Sequence, residues 1–247
     1  MKLLENPRLA ALTAFLTERQ VSERIITARI EAFSCKRAGE DKKLSKKMEQ
    51  QFVEEMASSP GSMGYSPLGA LTEATTRRLF IDLISTLNAS FPDYDFTCLS
   101  PEQFTKELSP ELVVRNINTR LADFVSTETL EELWLAVEEA VQMNQCQVFS
   151  YVPDLDSDPF SDQNVLWSFN FFFFNKHLKR ILYFTCLVRS SNSPYLSEAQ
   201  EKINDDDDID QENNFHSRHL FHSAPSGDDA FDEEDDFNME IPPQFDE

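Results

Sequence analysis

One stretch, Tyr151–Phe184, limits most strongly what this chain can fold into. Two aromatic and β-branched segments, Leu166–Phe174 and Leu178–Val188, flank the polar break Asn175-Lys176-His177, a pattern that predicts a β-hairpin. Alternate side chains of a strand face opposite sides. One side carries Trp167, Phe169, Phe171 and Phe173, and the other carries Leu166, Phe172 and Phe174. Because both sides are apolar, the strand is predicted to lie centrally in a sheet that is covered on both sides.

The rest of the pattern predicts an α+β fold with a largely antiparallel central sheet covered by helices. Apolar periodicity predicts helices after Asn6-Pro7, at Glu73–Asn88 and at Ser109–Phe124, and a further helix whose capping box starts at Thr129. Strands are predicted at Ser22–Cys35 and Gln145–Tyr151. The glycine- and lysine-rich stretch from Lys36 to Thr72 shows neither period, and we interpret it as a mobile loop or insertion.

Charge separates a globular part from a tail. Residues 198–247 carry 18 Asp or Glu against 2 Lys or Arg, which is −16 of the net charge of −22. Such a segment buries too little apolar surface to offset the entropy of ordering it. We therefore predict a single domain made of 1–36 (helix plus strand), a mobile insertion at 37–72 and the remainder at 73–190, followed by a disordered acidic tail at 191–247.

The sequence carries no motif for catalysis, a metal or a cofactor. Asp154, Asp156 and Asp158 have the spacing of calcium ligands, but Pro159 and Val165 stand where that loop needs Gly and Glu, so a turn with Asp side chains bonded to backbone amides is favoured. The four cysteines form no C-x-x-C pair and predict reduced thiols in an intracellular protein. Signal-peptide and membrane-span patterns are absent from the sequence.

Several blocks together resemble the Maf1 family, the eukaryotic repressors of RNA polymerase III transcription. They are the opening MKLLEN, RIEAFSCKRAGEDK at Arg29–Lys42, FPDYDF at Phe91–Phe96, and PDLDSDPF with LWSFNFFFFNKHLKRI in the hairpin region. The blocks follow the family order and span residues 1 to about 190. The resemblance implies a non-enzymatic regulator without a cofactor. It would bind RNA polymerase III and hinder its recruitment to initiation-factor-bound promoters.

The resemblance also implies regulation by phosphorylation of the insertion, through TOR-pathway or basophilic kinases that respond to nutrients. Candidate phosphorylation sites are Ser45, Ser59 and Ser66, the first after two lysines and the others before proline. Beside them lies a candidate nuclear-import cluster, Lys42, Lys43, Lys46 and Lys47. Phosphates of about −1.5 to −2 charge each would offset these lysines. A monomer that shuttles between nucleus and cytoplasm is expected.

Candidate docking residues for a partner are Asp154, Asp156, Asp158, Lys176, Lys179 and Arg180. The cations at the hairpin turn would suit an acidic surface, whereas the net negative charge disfavours direct contact with nucleic acid. Two alternatives stay open. One is an enzyme with an unrecognised site at Asp154–Asp162, which a deep pocket lined by those carboxylates and His177 would favour. The other is an acidic chaperone or nucleic-acid mimic that acts through its tail, where phenylalanines alternate with acidic runs.

Overall fold

The computed structural model describes residues 1–37, 39–58, 65–153, 158–160 and 164–191. The strands are β1 Lys2–Leu4, β2 Arg19–Val21, β3 Arg24–Ser34, β4 Tyr65–Ser66, β5 Gly69–Ala70, β6 Phe104–Lys106, β7 Gln147–Tyr151, β8 Val165–Asn175 and β9 Arg180–Ser190. The helices are α1 Pro7–Leu16, α2 Glu40–Ser58, α3 Ala74–Ser90, α4 Pro110–Leu121 and α5 Thr127–Val141. Within these residues no helix is long and apolar enough to cross a membrane.

The main sheet has seven antiparallel strands in the order β1-β3-β9-β8-β7-β6, and β2 also pairs with β3. Strands β1 and β2 pair with opposite ends of β3, at Ala32–Ser34 and Arg24–Ile26 respectively. Between them the hydroxyl of Thr13 in α1 accepts a hydrogen bond from the Ile30 amide at 3.0 Å. A helix side chain therefore takes the place of a strand along this part of the edge.

The predicted hairpin is confirmed as the centre of the sheet. Strands β8 and β9 pair from Val165 with Arg189 to Asn175 with Arg180. Asn175 holds the turn, because its Oδ1 accepts from the Leu178 amide at 3.0 Å while its Nδ2 donates to the Val141 carbonyl at 2.8 Å. The expectation that Leu166 is covered is wrong. A bulge between Val165 and Trp167 turns it outward, where it is 54 % exposed.

Helices cover both sides of the sheet, as the two-sided apolar strand predicts. On the first face, α1, α4 and α5 pack on the alternate residues of β3, β8 and β9 that include Ile30, Phe171 and Phe184. On the second face, α2 and α3 pack on the intervening residues, among them Phe33, Phe172 and Tyr183. The described residues thus form one α+β domain with the sheet as its middle layer.

Two local predictions need correction. The stretch predicted as an irregular loop contains the 19-residue helix α2, whose Met48 and Phe52 are buried in the second-face core. The cap of α5 is Ser126, which accepts from the Thr129 amide at 3.3 Å, and not Thr129. The Asn6-Pro7 helix start is confirmed, since the Asn6 side chain accepts from the amides of Arg8 and Leu9.

Candidate functional site

The three cations predicted for docking, Lys176, Lys179 and Arg180, do not share one surface at the end of the hairpin. Lys176 and Lys179 are exposed, and Lys179 has a positive φ of 50°. Arg180 turns to the other side of the sheet, where its Nη1 donates to the Ala140 carbonyl at 2.9 Å. Carbonyls of a last helical turn lack partners within the helix, so Arg180 satisfies the C-terminal end of α5. Its geometry is that of a structural contact.

A cleft of about 630 Å³ opens beside the turn on the second face. It is lined by the turn, the first turns of α3, the ends of β6 and β7, and the segments next to β3 and β5. Its basic residues are Arg37, Arg78, Lys106, Lys176 and Lys179, and its acidic residues are Glu73 and Asp82. We call this the basic cleft. Two of the predicted docking residues, Lys176 and Lys179, therefore belong to one concave surface.

Arg37 and Asp82 form an ion pair within the basic cleft, and further hydrogen bonds of Arg37 connect helices α2 and α3. The Arg37 guanidinium donates to Asp82 Oδ1 from Nη2 at 2.6 Å and from Nε at 3.1 Å. Its Nη1 donates to the Ser45 hydroxyl of α2 at 2.6 Å, and Nη2 also donates to the Arg78 carbonyl of α3 at 3.1 Å. Arg37 thus ties α2 to α3. Burial raises the pKa of Asp82 even though Arg37 opposes that shift.

The thiol in the basic cleft is unsuited to nucleophilic chemistry. Burial and the negative charge of Asp82 raise the pKa of Cys35 to about 12, while Arg37 lowers it by less. The thiolate is the reactive form of cysteine. Cys35 therefore stays protonated near neutral pH.

Two of the candidate phosphorylation sites, Ser45 and Ser66, are not displayed on an open loop. Ser45 lies on the inner side of α2 and is 8 % exposed, whereas Lys42, Lys43, Lys46 and Lys47 lie on its outer side. Ser66 is 3 % exposed, and its hydroxyl donates to the Gly69 carbonyl at 2.8 Å in the β4–β5 turn. Ser59 lies outside the described residues. Phosphorylation of Ser45 or Ser66 would require a local opening of the structure.

Asp158 points inward. Its Oδ2 accepts from the Tyr151 hydroxyl at 2.7 Å and its Oδ1 from the Phe160 amide at 2.6 Å. The sequence-based expectation of a turn with Asp bonded to a backbone amide is confirmed at this residue. Burial raises the pKa of Asp158, against the effect of these hydrogen bonds. Asp154 and Asp156 lie outside the described residues.

The basic cleft is not the pocket that the enzyme alternative requires. Neither Asp158 nor His177 lines the basic cleft. Across the same residues no group of His, Cys, Asp or Glu side chains has a metal-binding arrangement. Sequence reasoning missed Arg37, Arg78, Asp82 and Lys106 as members of the cleft, because they come from separate elements. The only local signal was Asp82, a charge inside the apolar run Phe80–Ile84.

Comparison with known proteins identifies the fold and the family. The Maf1 regulator profile matches residues 26–185. A repressor of RNA polymerase III transcription from Dictyostelium discoideum is 31 % identical over 85 % of this chain and 90 % of its own length. The Schizosaccharomyces pombe repressor of RNA polymerase III transcription maf1 is 35 % identical over 74 % of this chain and 80 % of its own.

A solved structure agrees with these matches. The crystal structure of citrus MAF1 superimposes with a TM-score of 0.60 and 32 % identity, and the match covers 76 % of this chain and 99 % of that one. The profile takes in every element from most of β3 to the middle of β9, and so includes the central hairpin and the basic cleft. The chain belongs to the Maf1 family of regulators, whose named relatives repress RNA polymerase III transcription.

Proposed function

We propose that this chain represses RNA polymerase III transcription by binding the polymerase and hindering its recruitment to promoters that already carry initiation factors. The observation that carries the proposal is the family match over residues 26–185, which makes the chain a non-enzymatic transcription regulator. The fold supports a binding mechanism, since a sheet covered on both sides is a rigid support for surface contacts. Rigid partners lose less entropy on association.

The docking surface in this proposal is the basic cleft with Lys176 and Lys179. Arg180 contributes to the fold because it satisfies the end of α5, and Asp158 is engaged with Tyr151 and Phe160. Exposed cations steer association with an acidic partner and make its rate dependent on salt. The polymerase face that contacts this protein is accordingly expected to be acidic.

Order of addition tests the mechanism. Purified protein added to a reconstituted RNA polymerase III reaction should inhibit when it precedes assembly of the promoter complex, and much less afterwards. Competition for a docking surface requires that surface to be free, so the two orders must differ. Equal inhibition in both orders would argue against this mechanism.

Nutrient-dependent phosphorylation is the second part of the proposal, with Ser45, Ser59 and Ser66 as sites for TOR-pathway or basophilic kinases. The buried contact of Ser45 with Arg37 suggests how one phosphate would act. A phosphate of about −1.5 to −2 charge beside Asp82 repels that carboxylate and competes for Arg37. The tie between α2 and α3 would weaken, and the charge of the neighbouring lysines would be offset, which would reduce nuclear import.

Phosphorylation control of nuclear import is tested by changing Ser45, Ser59 and Ser66 together to alanine in nutrient-rich cells. The variant is expected to be more nuclear, more polymerase-bound and more repressive than the unmodified protein. A Thr119→Ala variant on exposed α4 is the matched control for loss of a hydroxyl. Unchanged localisation and repression in the triple variant would contradict this part of the proposal.

A further inference from the structure

The basic cleft concentrates positive charge in a protein whose net charge is −22. Five cations and two carboxylates line it, an excess of three positive charges. Arg37 and Asp82 compensate each other as an ion pair. The remaining cations are Arg78, Lys106, Lys176 and Lys179, and among the described residues none of these four side chains forms an ion pair. They are therefore available to a negatively charged ligand.

The four cations come from elements that are distant in sequence. Arg78 lies on α3, Lys106 ends the edge strand β6, and the two lysines follow β8. All four are exposed side chains at the rim of one concavity. Like charges repel one another across such a rim, and a ligand with several carboxylates removes that repulsion.

Part of the cleft wall is apolar. Leu68 and Leu79 are 8 % and 9 % exposed, and the half-buried side chains of Cys35 and Phe174 complete this wall. Phe174 also packs against the second-face core, so the wall is held in place by the sheet. A ligand that covers this wall gains from an apolar side chain of its own. A bare phosphate chain or a nucleic-acid backbone offers none.

The kinds of cation suit both carboxylates and phosphates, so the apolar part of the wall carries the distinction between them. Three of the four cations that form no ion pair are lysines, which act as single point charges. The paired donors of arginine suit carboxylate and phosphate alike, and Arg37 already gives its donors to Asp82, Ser45 and the Arg78 carbonyl.

We propose that the basic cleft is the docking site for an acidic peptide segment of a partner protein, in which an apolar side chain is flanked by carboxylates. The carboxylates pair with the rim cations, and the apolar side chain covers Leu68, Leu79 and Phe174. This inference deepens the proposed function and rests on it only for which protein carries the segment. Binding itself is a property of this chain and is measurable without polymerase.

The test is fluorescence anisotropy with a labelled peptide, Glu-Asp-Glu-Phe-Glu-Asp-Glu, and the full-length protein at 50 mM and 300 mM NaCl. The variant K106Q/K176Q/K179Q is expected to bind about tenfold more weakly at the lower salt, since each exposed pair contributes a few tenths to 1 kcal/mol. The control R8Q/R115Q/R120Q removes the same charge from exposed positions on α1 and α4, which pack on the first face of the sheet, and it should bind as the unmodified protein does. Equal weakening in both variants would overturn the proposal.

Two further arms define the ligand. Replacing the central Phe of the peptide by Ser should weaken binding severalfold, and unchanged affinity would refute the role of the apolar wall. Tripolyphosphate should displace the peptide only at concentrations that screen charge in general. Tighter binding of tripolyphosphate would make the cleft a phosphate site instead. Capture of polymerase III by the same variants tests the proposed function separately, because the peptide measurement does not depend on it.

Discussion

The two faces of the sheet are built from different chemistry. On the first face the buried residues of the described strands are apolar except Asn175 at the turn. On the second face polar side chains lie within the core: Asn170 is 1 % exposed and Thr185 is 4 % exposed. The hydroxyls of Tyr183 and Thr185 both donate to Asn170 Oδ1 at 2.7 Å. Away from the turn, β8 and β9 thus pack through apolar contacts on the first face, whereas on the second face buried side-chain hydrogen bonds also link the two strands.

Buried hydrogen bonds make the second face selective. A slip of one residue between β8 and β9 would move Asn170 to the first face and leave its hydroxyl partners unpaired. The apolar first face distinguishes registers less sharply, because its phenylalanines repeat along the strand. The second face also carries the carboxylates of Asp82 and Asp158 and the basic cleft. Buried carboxylates and the basic cleft therefore lie on the same side of the sheet.

The largest effect is expected from a charge placed on the first face. Phe171→Asp should unfold or aggregate the protein, since an unpaired buried carboxylate costs several kcal/mol against a total stability of about 5–15 kcal/mol. Leu166→Asp is the matched control on the same strand, because Leu166 is 54 % exposed at the bulge. Urea denaturation and solubility measure both. A soluble Phe171→Asp variant with an unchanged midpoint would mean that the first face tolerates charge.

A smaller loss is expected from Asn170→Ala on the second face. Two buried hydroxyls lose their acceptor, at a cost of about 1–3 kcal/mol for each group left unsatisfied. Adding Tyr183→Phe to this variant removes one of them, so the double variant should lose less stability than the sum of the single changes. Urea denaturation of the four proteins measures the coupling. Strictly additive losses of unfolding free energy would show that Asn170 and Tyr183 are not coupled, and that their hydrogen bond does not set the second face apart from the first.

The smallest effect concerns pH. Burial raises the pKa of Asp158 in the folded protein, so folding favours its protonated form. Its contribution to stability is complete below the unfolded pKa of about 3.9 and is lost as pH rises through the folded pKa. Relative to Asp158→Asn, the wild type should therefore lose stability as pH rises from about 4 towards neutral. Unfolding free energies measured across this window test the sign, and a constant difference would contradict it.

The sequence predicted the parts of the fold that have a strong repeating pattern. Alternation of phenylalanines located β8 and both covered faces, and apolar spacing located α3 and α4. Helix α2 was missed because its inward residues Leu44, Met48 and Phe52 are separated by Lys and Glu, which dominated the composition. Their spacing of four was the available signal.

The candidate site was predictable only in part. Lys176 and Lys179 follow from the hairpin turn, but the cleft exists because α3, β6 and the turn meet in space. The periodicity of apolar residues along the sequence does not predict that these three elements lie together. The burial of Ser45 likewise depends on Arg37, a residue eight positions earlier that sequence reasoning placed only in a loop. Side-chain contacts across elements set both features.

The contact between Thr13 and Ile30 also bears on how the molecule behaves in a crowded solution. An open strand edge is a template on which a second copy can add its own strand. Here β1 and β2 occupy the two ends of this edge of β3, and a helix hydroxyl engages the backbone in the gap between them. An incoming strand finds no continuous row of donors and acceptors along β3. The molecule is thereby protected from polymerising through this edge of its sheet.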